Sequence, residues 1–377
     1  MSQLLGEGWI GIVNAVSPLL ELKGAVAAQD DSPDSGVAWH YGDPFAEQRT
    51  AVRSVAVVDR SHRGVLAVPG DDRLDWLHSL TSQHFAALGQ PAGTEALVLD
   101  AHGHVEDHLV VAHAGGTVWL DTERHRTAPL LSYLDSMRFW SKVEPRDATA
   151  GRAVLTVLGP DAPALLAGLD LPTPAEPYQV VEFEGGFARR MPWPGRNAVD
   201  LVIERDALVP TWARLTDAGA RPAGSWAFEA LRVEALRARL GVDTDERTIP
   251  HEVNWIEPAV HLDKGCYRGQ ETVAKVINVG RPPRRMVLLH LDGSQDVLPE
   301  TGEPVLLGDR VVGRVGSVAR HHELGNVALA VLKRSAPVDV ELLAGAEDHV
   351  VQAAVDPDSV PKEGVAPGRE AAQRLRG

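Results

Sequence analysis

A chain of mixed helices and strands that ends in an all-β barrel is what this sequence predicts, on three observations. From about residue 53, short apolar runs of strand length alternate with short amphipathic helical segments. Beyond Pro282-Pro283 that alternation stops. Runs at 286–291, 304–307, 311–319 and 327–332 are joined by Gly-Asp and Gly-Asn turns with little helix between them, the texture of a small barrel. Finally, 377 residues, 44% of them hydrophobic, are too many for one ordinary core and require two or three domains.

The elements follow in order. Trp9-Ile10-Gly11-Ile12-Val13 reads as a strand, and residues 27–37, rich in Asp, Ser and Gly, read as a polar insert or linker. Val65-Leu66-Ala67-Val68 is a strand ending at Pro69-Gly70, with Asp71 or Asp72 placed to cap a helix through Leu74, Leu77 and Leu80. Leu97-Val98-Leu99 runs into a turn at Asp100-Ala101-His102-Gly103. His108–His113 and Thr117–Leu120 flank Gly115-Gly116 and read as a hairpin. Val154–Leu158 stops at Gly159-Pro160, where Asp161 is placed to cap the next helix. Leu201–Glu204 precedes a helix over 207–218. A long helix is expected from an N-cap at Ser225 to a stop at Gly241, its apolar stripe carried by Phe228, Leu231, Val233, Leu236 and Leu240. Residues 355–377, rich in Pro, Gly and charge, read as a disordered tail.

Composition narrows the function classes. A net charge of −15, from 37 basic and 52 acidic residues, excludes a general nucleic-acid binder and disfavours an anionic membrane surface. No apolar run approaches the length of a membrane span, and no basic region precedes an apolar one at the N-terminus. With a single cysteine, the expectation is a cytoplasmic protein.

That cysteine lies in Lys264-Gly265-Cys266-Tyr267-Arg268-Gly269-Gln270-Glu271. A lone thiol makes neither an intrachain disulfide nor a multi-cysteine metal site. The flanking glycines indicate a tight turn. Lys264 and Arg268 would stabilise a thiolate if they converge on it. The alternative is a buried structural cysteine. His102, His104, His108 and His113 lie close together but lack a metal-ligand spacing and read as solvated turn and strand histidines; His321-His322-Glu323 reads the same way. Arg281, Arg284 and Arg285 either guide an anionic ligand or solubilise a Pro-rich linker. No P-loop, dinucleotide fingerprint or G-x-S-x-G is present.

Three stretches carry a family resemblance. The eight residues from Lys264 to Glu271 resemble the K-G-C-Y-x-G-Q-E signature of the YgfZ-type folate-binding proteins, relatives of the aminomethyltransferase (T-protein) of glycine cleavage. Leu231-Arg232-Val233-Glu234-Ala235, followed by Gly241, Asp243, Ile249-Pro250 and Glu252, is similar to a run shared by both groups. Gly308-Asp309 through Gly313–Ser317 to Gly325–Ala330 looks like their C-terminal barrel. The resemblance spans roughly residues 50 to 335. It implies an α+β fold in a tripartite, cloverleaf-like arrangement of mainly antiparallel sheets with helices, plus the barrel. The division is an extension over 1–40, a two-part folate-binding region over 41–280, a barrel over 281–354 and the tail.

The resemblance also implies a site. Tetrahydrofolate is the expected cofactor, with no stably bound metal. Arg232, Glu234, Tyr267 and Gln270 are the expected cofactor-binding residues. Cys266 is the expected reactive thiol, with Lys264, Arg268 and Asp107 beside it. A folate needs a carboxylate for the pterin donors, an apolar or aromatic wall and a cation for its glutamate tail. For Arg232 the bland alternative is a surface pair with Glu229. Two departures bear on activity. Gly103-His104-Val105-Glu106-Asp107 stands where the aminomethyltransferase carries its catalytic aspartate. Arg196, in Trp193–Ala198, replaces the glutamate of the folate motif Y-T-G-E-D-G, and a cation accepts no hydrogen bond from a pterin. The reading is a folate-binding accessory protein working with iron–sulfur client or assembly proteins. A tetrahydrofolate-dependent aminomethyltransferase or demethylase, with Glu106 or Asp107 as acid or base, is the first alternative, and a scaffold without catalysis is the second.

Overall fold

The computed structural model describes residues 16–279, 281–294 and 296–361. The predicted strand at 9–13 lies outside them, as does the tail from 362. Two compact units divide the chain. The first holds the residues up to Leu77, with Phe85–Glu95 and Leu109–Ala235. The second holds His78–His84, Ala96–His108 and the chain from Leu236 onward.

The first unit is built on a six-stranded sheet in the order Val180–Phe183, Gly186–Met191, Ala198–Glu204, Arg152–Leu158, Ala56–Asp59, Arg221–Ala223. Each neighbour pairs antiparallel except the last, which runs parallel to Ala56–Asp59. Val57, Leu155, Val157, Leu201 and Ile203 point to one face and pack on Leu208, Trp212 and Leu215 of the helix Leu208–Asp217. The opposite face, through Ala56, Val58 and Leu158, packs on Ala227, Phe228 and Leu231 of the helix Ser225–Glu234. Alternation along the strands thus fills two apolar layers. A second sheet orders Ala92–Leu99, Val105–Ala114, Thr117–Thr122, Gly64–Pro69 and Arg146–Asp147. The chain passes between the units within its first two strands.

Between these sheets, inside the first unit, lies a buried charge network. Arg189, 1% exposed, donates to Asp121 at 3.1 Å and to Asp200 at 2.8 Å. Arg63 donates to Asp121 at 2.7 Å and pairs with Glu123. Thr156 donates to Asp200 at 2.7 Å. Burial works to raise the Asp121 carboxyl, but the guanidiniums of Arg63 and Arg189 outweigh it and hold the group below its ordinary range.

The second unit is dominated by a closed antiparallel barrel, Arg284–Leu291, Gly325–Lys333, Arg310–His321, Pro304–Leu307, Leu342–Ala344 and Val351–Val355, which returns to its first strand. Its interior is apolar, with Val287, Leu289, Val305, Val315, Ala330 and Leu332 fully buried. Asp243 binds the barrel wall. Its carboxylate accepts from Ser317 N at 2.7 Å, Ser317 Oγ at 2.9 Å and Arg239 N at 2.7 Å. Gly316 makes room for it, since a Cβ there would lie 2.2 Å from Asp243 Oδ1. Arg284, at the start of the barrel, donates to both oxygens of Glu252 at 2.9 and 2.7 Å and also binds Asp245.

The mixed α+β character and the barrel are as expected. Several details differ. The long helix ends at Glu234 and not near Gly241, because Leu236 takes a left-handed conformation (φ 53°) and the next turns are shaped by Asp243. Ser225 is its first residue, with Gly224 as the cap. Asp161 precedes a helix at Ala162–Gly168, yet its carboxylate accepts from Ser54 Oγ and caps nothing. Residues 27–37 are ordered, with Asp34 buried against His62 at 3.1 Å. Residues 355–361 are ordered as well, since Leu288 N donates to Ser359 Oγ at 2.9 Å.

Two outcomes follow. Arg189→Met removes the cation that Asp121 and Asp200 share, leaving Asp121 to Arg63 and Asp200 to Arg60 at 3.5 Å, and a loss of about 3–5 kcal/mol in denaturant unfolding is expected; a loss below about 1 kcal/mol would remove the network from the stabilising features. Burial also works to raise Asp245, but the hydrogen bonds and charge of Arg284 hold it at about 2, below its ordinary value of 3.8. A carboxyl depressed on folding contributes stability that is present above the unfolded pKa and lost as pH falls through the folded one. Wild-type stability therefore drops between pH about 4 and about 2, and Asp245→Asn flattens that part of the acid unfolding curve.

Candidate functional site

The sequence-predicted residues divide between the units: Arg232 and Glu234 in the first, the signature with Asp107 in the second.

In the second unit the signature is a bracket. Lys264, 5% exposed, turns inward. Its ammonium donates to the carbonyls of His78, Thr81 (2.5 Å) and Gln83 (3.2 Å). Burial pulls it down to about 8. Three carbonyl acceptors, the full complement of an ammonium, thus tie the signature to the segment 78–83. The ammonium also lies 5.0 Å from the centre of the Tyr267 ring. Tyr267 is buried, which pushes its phenol up to about 12. Gln270 Nε2 reaches back to the carbonyl of Lys264 at 3.5 Å. Gly269, at φ 82°, meets the turn 100–104 backbone to backbone. A Cβ there would lie 2.6 Å from the Asp100 carbonyl and 2.8 Å from Gly103 Cα, so glycine is required.

Arg268 reaches out of the signature to Glu106, with Nη1 donating to Oε2 at 3.0 Å. Both ends of this pair are more than a third exposed. The two cations that bracket the thiol in sequence are therefore engaged elsewhere, one on carbonyls and one on a carboxylate. Their spacing suited convergence on the sulfur, but packing of the neighbouring segments claims them. Cys266 itself is exposed. Asp107, next to Glu106, is 2% exposed. The strand that carries both begins where Val105 N donates to Thr248 O.

Further along that strand His108 stacks on Trp255, with centroids 4.5 Å apart and planes 3° from parallel. Trp255 is 1% exposed, and its indole N–H has no hydrogen-bond partner. A buried donor of this kind is costly without an acceptor. Nothing in the single sequence marked Trp255; only its burial and its lone N–H do.

In the first unit Arg232 is 3% exposed and its guanidinium grips Glu229 at 3.0, 3.0 and 2.6 Å. The Glu229 pair expected as the bland alternative is present, but its Arg232 end is buried and Glu229 is only partly exposed, so it is not a fully solvated surface contact. Glu234 is the last residue of the helix and is exposed. Glu95, wholly buried, accepts from Tyr178 Oη at 2.5 Å and Trp193 Nε1 at 3.2 Å. Sequence reasoning missed this carboxylate because its partners lie 83 and 98 residues away. Arg196 is exposed.

The solvated reading of the histidines fails for His108, His113 and His321, which are buried because their strands pack against neighbouring elements. His104 Nδ1 lies 2.9 Å from Asp100, and His113 lies 3.0 Å from Arg73 and 2.8 Å from the Gly89 carbonyl. Among the described residues no group of three or more His, Cys, Asp or Glu is arranged to hold a metal ion, and no helix is long and apolar enough to cross a membrane.

Comparison with known proteins bears on the family. The GCVT N-terminal domain matches residues 37–264. An aminomethyltransferase of Thermus thermophilus is 30% identical over 325 residues, covering 83% of this chain and 89% of its own. One from Rippkaea orientalis is 28% identical over 323 residues, covering 78% and 85%. The crystal structure of glycine cleavage system aminomethyltransferase T from Bartonella henselae superposes with a TM-score of 0.79 at 19% identity, over 91% of this chain and 96% of that one. That likeness shows a shared T-protein fold. With the domain match covering more than half of its length, the chain belongs to the GCVT aminomethyltransferase family.

Proposed function

We propose that this protein binds tetrahydrofolate and presents Cys266 as a thiol to partners in iron–sulfur cluster assembly or repair. The observation that carries the reading is the exposure of Cys266 on a turn whose other members are bound to the scaffold. Lys264, Tyr267 and Gly269 hold the bracket rigid while the sulfur faces outward, which is the arrangement a thiol needs to meet a partner. A single cysteine supplies one cluster ligand, so the partner or a small thiol supplies the others.

Each unit holds groups of the kinds a folate needs. In the first, Arg232 carries a guanidinium held by Glu229, and Glu95 a buried carboxylate held by Tyr178 and Trp193, the group types that a glutamate tail and a pterin call for. In the second, Trp255 offers an unpaired donor and the His108–Trp255 stack a flat wall. When bound, the folate would supply a one-carbon carrier; side chains of these kinds would hold and orient it.

A second reading is favoured by the relatives, which are named aminomethyltransferases. In it Glu106 or Asp107 acts as acid or base on a one-carbon transfer to tetrahydrofolate. The half-exposed Glu106, set by Arg268, suits proton exchange better than the buried Asp107.

The experiments separate the two. In cells lacking the native protein, Cys266→Ser is expected to lower recovered iron–sulfur enzyme activity while tetrahydrofolate affinity and Tm stay at the wild-type values. Full complementation by the serine variant removes the thiol role. Formation of 5,10-methylene-tetrahydrofolate from a methylamine-type donor, abolished by Glu106→Gln, would establish the transferase reading in its place. In a simpler assay, maleimide should label Cys266 in the native protein within about tenfold of its rate in urea; protection of about a hundredfold or more would mean a sequestered thiol.

A further inference from the structure

We propose that the second unit carries a site for a small phosphate-bearing molecule with an apolar body, in a cleft separate from the residues assigned above. The cleft measures about 630 Å³ and lies among the turn 100–104, the 3-10 helix Pro250–Val253, the helix Gln270–Val279 and the first residues of the barrel. Its size falls in the range of small-molecule pockets.

Its charge sets it apart from the rest of the chain. The protein carries 15 more acidic than basic side chains, yet four permanent cations line this cleft: Arg247, Lys275, Arg281 and Arg284. One carboxylate shares the lining with them, Glu252, and it is bound at 2.9 and 2.7 Å by Arg284 and at 3.2 Å by Ile249 N. Arg284 is shared between Glu252 and Asp245, so its charge is already engaged. The unengaged charge rests on Arg247 and Lys275, with Arg281 and His102 on the same lining and His104 paired with Asp100. Arg247 and Lys275 are exposed, and among the described residues neither makes a side-chain hydrogen bond or ion pair. Ile249, Val276 and Pro283 supply an apolar floor.

The combination selects a chemistry. An apolar floor with cations around it suits an amphipathic anion. A planar guanidinium and an ammonium both bind phosphate well. A phosphate monoester carries close to two negative charges at neutral pH and matches a pair of cations, Arg247 and Lys275, better than one carboxylate does. The site stands whether or not the folate reading holds.

Calorimetry with phenyl phosphate, inorganic phosphate and benzoate as probes tests it at low salt. Phenyl phosphate is expected to bind at least about tenfold more tightly than the other two, since only it offers both the ring and the dianion. Arg247→Gln with Lys275→Gln should weaken it by about tenfold or more, with the unfolding midpoint unchanged because both side chains are exposed. Added salt should weaken the wild type more than the variant. Equal binding of phenyl phosphate by wild type and variant, or of benzoate and phenyl phosphate by wild type, overturns the proposal. So does loss of tetrahydrofolate affinity in the double variant, because the cleft would then be part of the folate site.

Discussion

An ammonium held by three carbonyls organises the second unit. Lys264 binds the segment 78–83 from within the signature, and its bonds are of the kind that cannot be left half made. With that nitrogen satisfied, the turn that follows has no freedom to fold Cys266 inward. Tyr267 goes to the interior beneath the same nitrogen, and Gly269 comes to rest against the Asp100 turn. The thiol is outside because its neighbours are committed inside.

The first unit answers to a different constraint. Arg189 and Asp200 face each other across neighbouring strands, and Asp121 comes from the other sheet. Between two sheets that also share an apolar seam, the contact here is made through charge. A buried network of this kind contributes little net stability compared with an apolar seam, but it penalises any other register, since a slip by one residue would strand a charge in the core.

Much of this was readable beforehand. The hairpin at Gly115-Gly116, the helix at 207–218 and the four barrel strands were legible because they rest on local signals: two positive-φ glycines, an amphipathic stripe, alternating apolar residues between turns. The barrel's closing strands, Leu342–Ala344 and Val351–Val355, are too short and alanine-rich to stand out. The helix beyond Glu234 was misread because Leu-Arg-Ala-Arg-Leu favours helix by propensity, while Asp243 and a left-handed Leu236 decide otherwise through tertiary contacts. The signature was legible as a motif, but not the direction of its cations. Lys264 and Arg268 are equally spaced about Cys266 in sequence, and only the carbonyls of 78–83 and the carboxylate of Glu106 reveal which way each one points.

The segment before residue 37 is not the linker its composition suggests. The match to the GCVT N-terminal domain begins at residue 37. Yet Leu19 is 1% exposed in the core of the six-stranded sheet, Ser17 Oγ donates to Asp59 at 2.5 Å, and Asp34 pairs with His62. Residues 17–34 are packed into the domain and are part of it. Anyone trimming the chain to the boundary that homology draws would open a hole in the core, strip the Asp59 carboxylate of its hydroxyl and leave His62 without its carboxylate partner. The domain defined by likeness and the domain defined by packing do not start at the same residue.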